Sequence, residues 1–159
     1  MTNWLKSKLI SYGITNFEMS TPLANYQPAI LSENYVFVSG NLPINNGSII
    51  HTGKCDLDLN TNEIKNCIEL ATSNMLISVC NIIDKKNLNA DYIKCVNIKG
   101  YINCTEKFSE HSKVFNYCSD YIVKIFGNVK GHHTRTVIGV NSLPLNSPVE
   151  IDGIFFFKH

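Results

Sequence analysis

The last segment of the chain is its strongest constraint on folding. Val149-Glu150-Ile151-Asp152-Gly153-Ile154-Phe155-Phe156-Phe157 reads as a strand whose final four residues are all large and apolar. Successive strand residues point to opposite faces, so Phe155 and Phe157 share one face and Ile154 and Phe156 the other. A strand that is apolar on both faces needs cover on both. The chain supplies one layer. Residues 60–84 place Ile64, Ile68, Ala71, Met75, Val79 and Ile82 on one helical stripe, opened by Asn60 and Glu63 in N-cap spacing. Residues 111–126 repeat the pattern with Val114, Cys118, Ile122 and Ile125, and Gly127 supplies the stop. Two long helices cover one face of a mixed sheet. The other face stays apolar and open, which implies a partner, most simply a second copy of the same chain.

The remaining elements follow from punctuation and periodicity. Leu5, Leu9 and Tyr12, closed by Gly13, predict a short helix over 3–12. Residues 27–32 and 35–39 are apolar runs around Glu33-Asn34, a hairpin signal. The Asn45-Asn46-Gly47 turn leads into a short third strand over 48–52. Long strands are expected over 92–103, 134–140 and 149–157. After the N-terminal helix the order is β-β-β-α-β-α-β-β. The expectation is an α/β (α+β) fold with a six-stranded mixed sheet, a single domain over 1–159 with 1–21 as a helical extension.

Composition narrows the function classes. A chain of 159 residues can bury a core without staples. Hydrophobic residues at 44% against 17% charged ones exclude a disordered chain. A net charge of +1 gives no field to concentrate nucleic acid or anionic lipid, so neither is expected as a partner. No continuous apolar run reaches the length of a membrane span, and Lys6 and Lys8 interrupt the N-terminus, so a cytoplasmic protein is expected. Of the six cysteines, Cys67, Cys80 and Cys118 fall in helical patterns and Cys95 in an apolar strand, none with metal spacing, and the set reads as buried free thiols rather than three disulfides. No metal or cofactor is expected. His132 and His133 precede Arg135 and read as loop histidines; His51, His111 and His159 are scattered.

Arg135 stands out chemically. It sits in a strand otherwise built of Thr, Val and Ile, and Glu150 lies beyond the turn at Pro144. As a hairpin, these strands would hold a guanidinium fork beside a carboxyl group. The fork suits a substrate carboxylate, and the carboxyl can steer a water or move a proton. Glu150 and Asp152 share a strand face, and Asp152 reads as structural or as half of an inter-subunit pair.

Three further stretches appear in order with these: Ala24-Asn25-Tyr26-Gln27-Pro28-Ala29-Ile30, Val36-Phe37-Val38-Ser39-Gly40-Asn41-Leu42-Pro43 and Thr52-Gly53-Lys54. Together with Arg135 and the segment Leu143-Pro144 through Ile154, this ordered set resembles the RidA/YjgF-like family of reactive-intermediate deaminases, also labelled endoribonuclease L-PSP. The N-terminal helix and the Gly-His-His-Thr-Arg segment resemble its longer branch. The resemblance implies a chorismate-mutase-like fold, a homotrimer and sites in clefts between subunits. It implies hydrolysis of 2-imino acids and their enamine tautomers, of the 2-iminobutanoate and 2-iminopropanoate type, to 2-oxo acids and ammonia.

Residue by residue, the resemblance makes Arg135 the carboxylate clamp and Glu150 the water-orienting group. Tyr26 borders the cleft, Ser39 and Gly40 form its loop, and Asn116 lies near it. Val137 stands where well-known members carry cysteine, so any role there runs through its backbone carbonyl. Asn41 stands where glutamine is common. Two other functions share part of this set. A non-catalytic sensor of small carboxylates such as 2-oxo acids would keep Arg135 and need Glu150 less. A ribonuclease or translation inhibitor would need a basic surface, for which the chain offers only Lys85-Lys86 and the stretch from Lys130 to Arg135.

Overall fold

The computed structural model describes residues 3–18, 25–88 and 92–158. Helix α1 (Trp4–Ser11) is followed by strands β1 (Ala29–Ser32) and β2 (Tyr35–Asn41), then by the short strands β3 (Ile44–Asn45) and β4 (Ser48–Ile49). Next come the long helix α2 (Thr61–Lys86), strand β5 (Ile93–Asn103), helices α3 (His111–Val114) and α4 (Asn116–Gly131), and strands β6 (Thr134–Val140) and β7 (Val149–Phe157). A single 3-10 turn at Pro144–Asn146 joins the last two strands.

The sheet has five strands in the order β1-β2-β7-β5-β6. All neighbours are antiparallel except β5 and β6, which run parallel. The expected sixth strand does not join it. Ser48 pairs with Asn45 and Ile49 with Ile44 in a separate hairpin, turned by Asn46 and Gly47 at positive φ of 49° and 79°. That turn closes its strands so tightly that the local partner wins over the sheet edge.

Each helix forms for a legible reason. The Asn60 side chain accepts from the Asn62 and Glu63 amides while Glu63 reaches back to the Asn60 amide, a capping box. All six stripe residues of α2 are buried. By length and mean hydropathy (1.2) α2 would pass as a membrane span, but 72% of that window is buried inside the fold, so it is the core helix. The second long helix is not continuous. It breaks at Phe115, whose ring packs so tightly on Gly100 that a Cβ there would overlap it. Gly127, at φ 75° and ψ 168°, interrupts the helix as expected, and residues 128–131 add one more turn.

Helix α1 packs on the helix layer and not on the open sheet face. Leu5 and Leu9 are fully buried, Trp4 meets the Phe126 ring, and Asn3 caps α1 while donating to Cys80 and Asp84 of α2. The core therefore lies between the helices and the face of the sheet carrying Val36, Cys95, Ile98, Ile151, Phe155 and Phe157. All six cysteines are buried free thiols. Burial pushes the Cys55, Cys67, Cys80 and Cys118 thiols up to about 12, which makes them inert.

The opposite face has no cover among the described residues. Ile30, Phe37 and Ile154 pair in one row across β1, β2 and β7, and Tyr35 meets Phe156 edge-on in the next. Ile30 is 51% exposed and Phe37 42%. The alternation of β7 thus holds as expected, with one apolar face in the core and the other facing outward.

Candidate active site

Arg135 and Glu150 do not form a hairpin pair. Strand β5 lies between β6 and β7: Arg135 pairs with Ile98, and Glu150 with Tyr101. Ile98 belongs to the buried helix-side face and Tyr101 to the open one, so the two site residues lie on opposite faces. Two strand spacings of about 4.8 Å also separate them, roughly 10 Å across the sheet. The reason is topological. The α3–α4 crossover makes β6 parallel to β5 on one side, and β7 returns antiparallel on the other side of β5. One chain therefore carries two separate candidate half-sites, one on each face of the sheet.

The first half-site is at the β6 edge. Arg135 turns back over the start of the helix layer. Its Nη1 donates to Ser119 Oγ at 2.9 Å and its Nη2 to the Ser112 carbonyl at 3.0 Å. The guanidinium also lies 5.9 Å from the centre of the Phe115 ring, within cation–π range. The break at Phe115 matters here, because it lets α3 present a free-ended carbonyl while α4 presents a hydroxyl. Val137 follows on the same face of the edge strand. Asn116 is exposed at the start of α4, and among the described residues the groups that reach Arg135 are Ser112 and Ser119. Neither serine carried a signal beyond its helical spacing from Phe115.

No carboxylate pairs with Arg135 among the described residues. The guanidinium fork is thus half-buried and fixed in orientation, with no counter-charge among the described residues.

The second half-site is where β2 meets β7. Pairing slips between Val38 and Asn41, so Ser39 and Gly40 form a bulge. The Glu150 side chain lies across it, and a Cβ at Gly40 would overlap the Glu150 carboxyl. The bulge is locked from within: Ser39 Oγ donates to the Gln27 carbonyl at 2.7 Å, and Asn41 Nδ2 to the Ser39 carbonyl at 2.7 Å. The Ser39 hydroxyl therefore holds the loop rather than facing outward as a free donor. Tyr26 lies beside it, 45% exposed. Tyr26, Ser39 and Gly40 also line a cavity of about 570 Å³ that runs between the β3–β4 hairpin and Asn74 and Ile77 of α2.

Burial raises the Glu150 carboxyl above its ordinary range, and Asp152 on the same face raises it further. Asp152 is itself held, accepting from Lys99 at 3.2 Å and from the Tyr101 hydroxyl at 3.0 Å. Asp152 is thus tied within the chain, and Glu150 is a half-buried carboxyl with a raised pKa on the same face.

The comparisons with known proteins agree with this architecture. Residues 6–156 match the family described as "YjgF/chorismate_mutase-like, putative endoribonuclease", and the chain belongs to that family. Protein TCP17 of Trypanosoma cruzi is 29% identical over 139 residues, covering 85% of this chain and 82% of that protein. The solved structure of Atu1372 from Agrobacterium tumefaciens superposes with a TM-score of 0.81 at 29% identity, covering 98% of this chain and 93% of that one. An endoribonuclease-named structure from Shewanella oneidensis gives a TM-score of 0.85 at 24% identity, covering 97% and 99%. The last likeness is one of fold.

Proposed function

We propose that the protein hydrolyses 2-imino acids and their enamine tautomers to 2-oxo acids and ammonia, at clefts where the Arg135 half-site of one copy meets the Glu150 half-site of another. The observation that carries this reading is Arg135, oriented by its own chain and without a carboxylate partner among the described residues. It accepts the substrate carboxylate and fixes the imine carbon. Glu150 orients a water against that carbon. As the water oxygen bonds to C2 it gives a proton to Glu150, and the C=N pair moves to nitrogen, which takes a proton in turn. The carbinolamine then collapses: its hydroxyl gives up a proton, the C–N pair leaves with nitrogen, which takes that proton through Glu150, and ammonia departs. A carboxyl with a raised pKa suits both transfers near neutral pH. The open apolar face supports assembly from copies of this chain, which the family resemblance makes a homotrimer. We place the reaction in the cytoplasm on composition alone.

The test is loss of 2-iminopropanoate and 2-iminobutanoate, generated in place by an amino-acid oxidase and trapped with semicarbazide. Wild type should accelerate hydrolysis, and Arg135→Ala should abolish the acceleration with the far-UV spectrum unchanged. A folded wild type that binds pyruvate without accelerating hydrolysis would favour the carboxylate sensor. Cleavage of RNA that Arg135→Ala retains would move the function to the ribonuclease named in the family description.

A further inference from the structure

The Gly131-His132-His133-Thr134-Arg135 run has a use that its sequence did not disclose. The backbone of Gly131 packs against Val123, where a Cβ would come within 2.8 Å of the Val123 Cα. This close approach fixes the Gly131 carbonyl, and His133 Nδ1 lies 2.6 Å from it. A carbonyl only accepts, so Nδ1 carries the proton. Neutral His133 then offers Nε2 as an acceptor. Ser119 Oγ lies 3.1 Å from Nε2 and gives its hydroxyl proton there. The lone pairs of Ser119 are left to receive Arg135 Nη1 at 2.9 Å. Every proton in the chain Arg135–Ser119–His133–Gly131 has one consistent place.

We propose that Ser119 and His133 are positioning residues that lock the Arg135 guanidinium while His133 is neutral and release it when His133 is protonated. Protonation puts a donor at Nε2, so Ser119 loses the acceptor of its hydroxyl proton, and its oxygen, now shared between two donors, becomes a weaker acceptor for Nη1. It also places a second positive charge beside Arg135. Among the described residues, the titratable groups acting on His133 are Arg135 from β6 and His132 from the preceding turn, and no carboxylate opposes them. Burial and these two neighbours hold the imidazole below its ordinary range, against the Gly131 bond, so the locked form prevails at neutral pH. The consequence for carboxylate capture rests on the function proposed above. The control of Arg135 does not.

Two readouts keep these separate. The first is the Arg135 Nε–H nuclear magnetic resonance signal of the ligand-free protein, with imidazole ¹⁵N shifts for His133. Wild type and His133→Gln, whose amide oxygen can still accept from Ser119, should give a slowly exchanging Arg135 signal at pH 7.5. His133→Ala and Ser119→Ala should broaden it, and wild type should broaden as His133 titrates. The second is pyruvate titration. Losing one hydrogen bond to a charged group should weaken binding about tenfold in His133→Ala and Ser119→Ala. His133→Gln should bind as wild type and lose the pH dependence. An Arg135 signal indifferent to His133 protonation and to Ser119→Ala, or a His133 with its proton on Nε2, overturns the proposal. If the Arg135 signal follows His133 but pyruvate binds no better than to Arg135→Ala, the positioning stands and the carboxylate site falls.

Discussion

The two half-sites are built on opposite principles. Arg135 is held by hydrogen bonds from three different segments: the Ser112 carbonyl of α3, Ser119 of α4, and, through Ser119, the His133 imidazole. Glu150 is held by shape and charge. It lies over the space left by a missing Cβ at Gly40, on a central strand, beside an acidic neighbour. The first arrangement fixes a permanent charge in one orientation. The second leaves a carboxyl free to move and to change protonation. A reaction that must hold one end of a substrate still while protons move at the other needs one of each. Because the five-stranded topology puts them on opposite faces, the two groups do not meet within a chain.

That division is most directly broken by mixing. Arg135→Ala and Glu150→Ala should each lose roughly 100-fold or more in kcat/KM, since each removes a charged hydrogen-bonding group from the reacting ligand. Subunits of the two inactive variants, unfolded and reassembled together at equal amounts, should regain activity. In a cyclic assembly with one site per interface, a site is whole only when an Arg135-bearing copy precedes a Glu150-bearing one, so about one quarter of sites recover. No recovery, in mixed oligomers verified by mass, would mean that both groups act within one chain or not at all.

The next effect is smaller and belongs to the Glu150 half alone. Gly40→Ala should push the Glu150 carboxyl off the bulge and lower kcat about tenfold, because a misplacement of about 1 Å is already costly. Arg135-dependent pyruvate affinity should barely change. The decisive control is the double variant. On a Glu150→Ala background the added methyl has nothing to displace, so Gly40→Ala should cost no further activity. An equal loss on both backgrounds would show that the bulge acts through something other than Glu150.

The contrast also marks what could be read from the chain. Signals confined to neighbouring residues were legible. The Asn60–Glu63 cap, the six-residue stripe of α2, the limits of β6 and β7, and the open apolar face all appear where local periodicity placed them. Residue chemistry and the family likeness both drew attention to Arg135 and Glu150. Their mutual placement was not legible, because whether β7 pairs with β6 or inserts beyond β5 is decided by long-range packing and not by the Pro144 turn. The sixth strand failed for the converse reason, a local hairpin outcompeting a distant edge. Asn116 drew attention through the family likeness alone, whereas the groups that reach Arg135, Ser112 and Ser119, stand on either side of the helix break at Phe115. Phe115, at that break, fits closely against Gly100 of the neighbouring strand, a contact that local periodicity does not reveal.

The smallest expected effect separates the halves by the sign of their pH dependence. His133 has a folded pKa below its ordinary value of 6.5, so the unfolded chain binds more protons in the window just under 6.5. Stability therefore rises with pH through that window and is lost as pH falls toward the folded value. Glu150 has a folded pKa above its ordinary value of 4.5, so here the folded chain binds more protons. Its contribution is greatest below 4.5 and is lost as pH rises through the raised value. Urea unfolding of wild type, His133→Gln and Glu150→Gln across this range resolves the two. His133→Gln should flatten the acid-side decline, and Glu150→Gln should remove the loss on the rising side. Both are partly exposed groups, so each slope should be modest and weakened by salt. Parallel curves for all three proteins would mean that neither group is set by its surroundings, and the clamp and the proton carrier would no longer be distinguishable by their electrostatics.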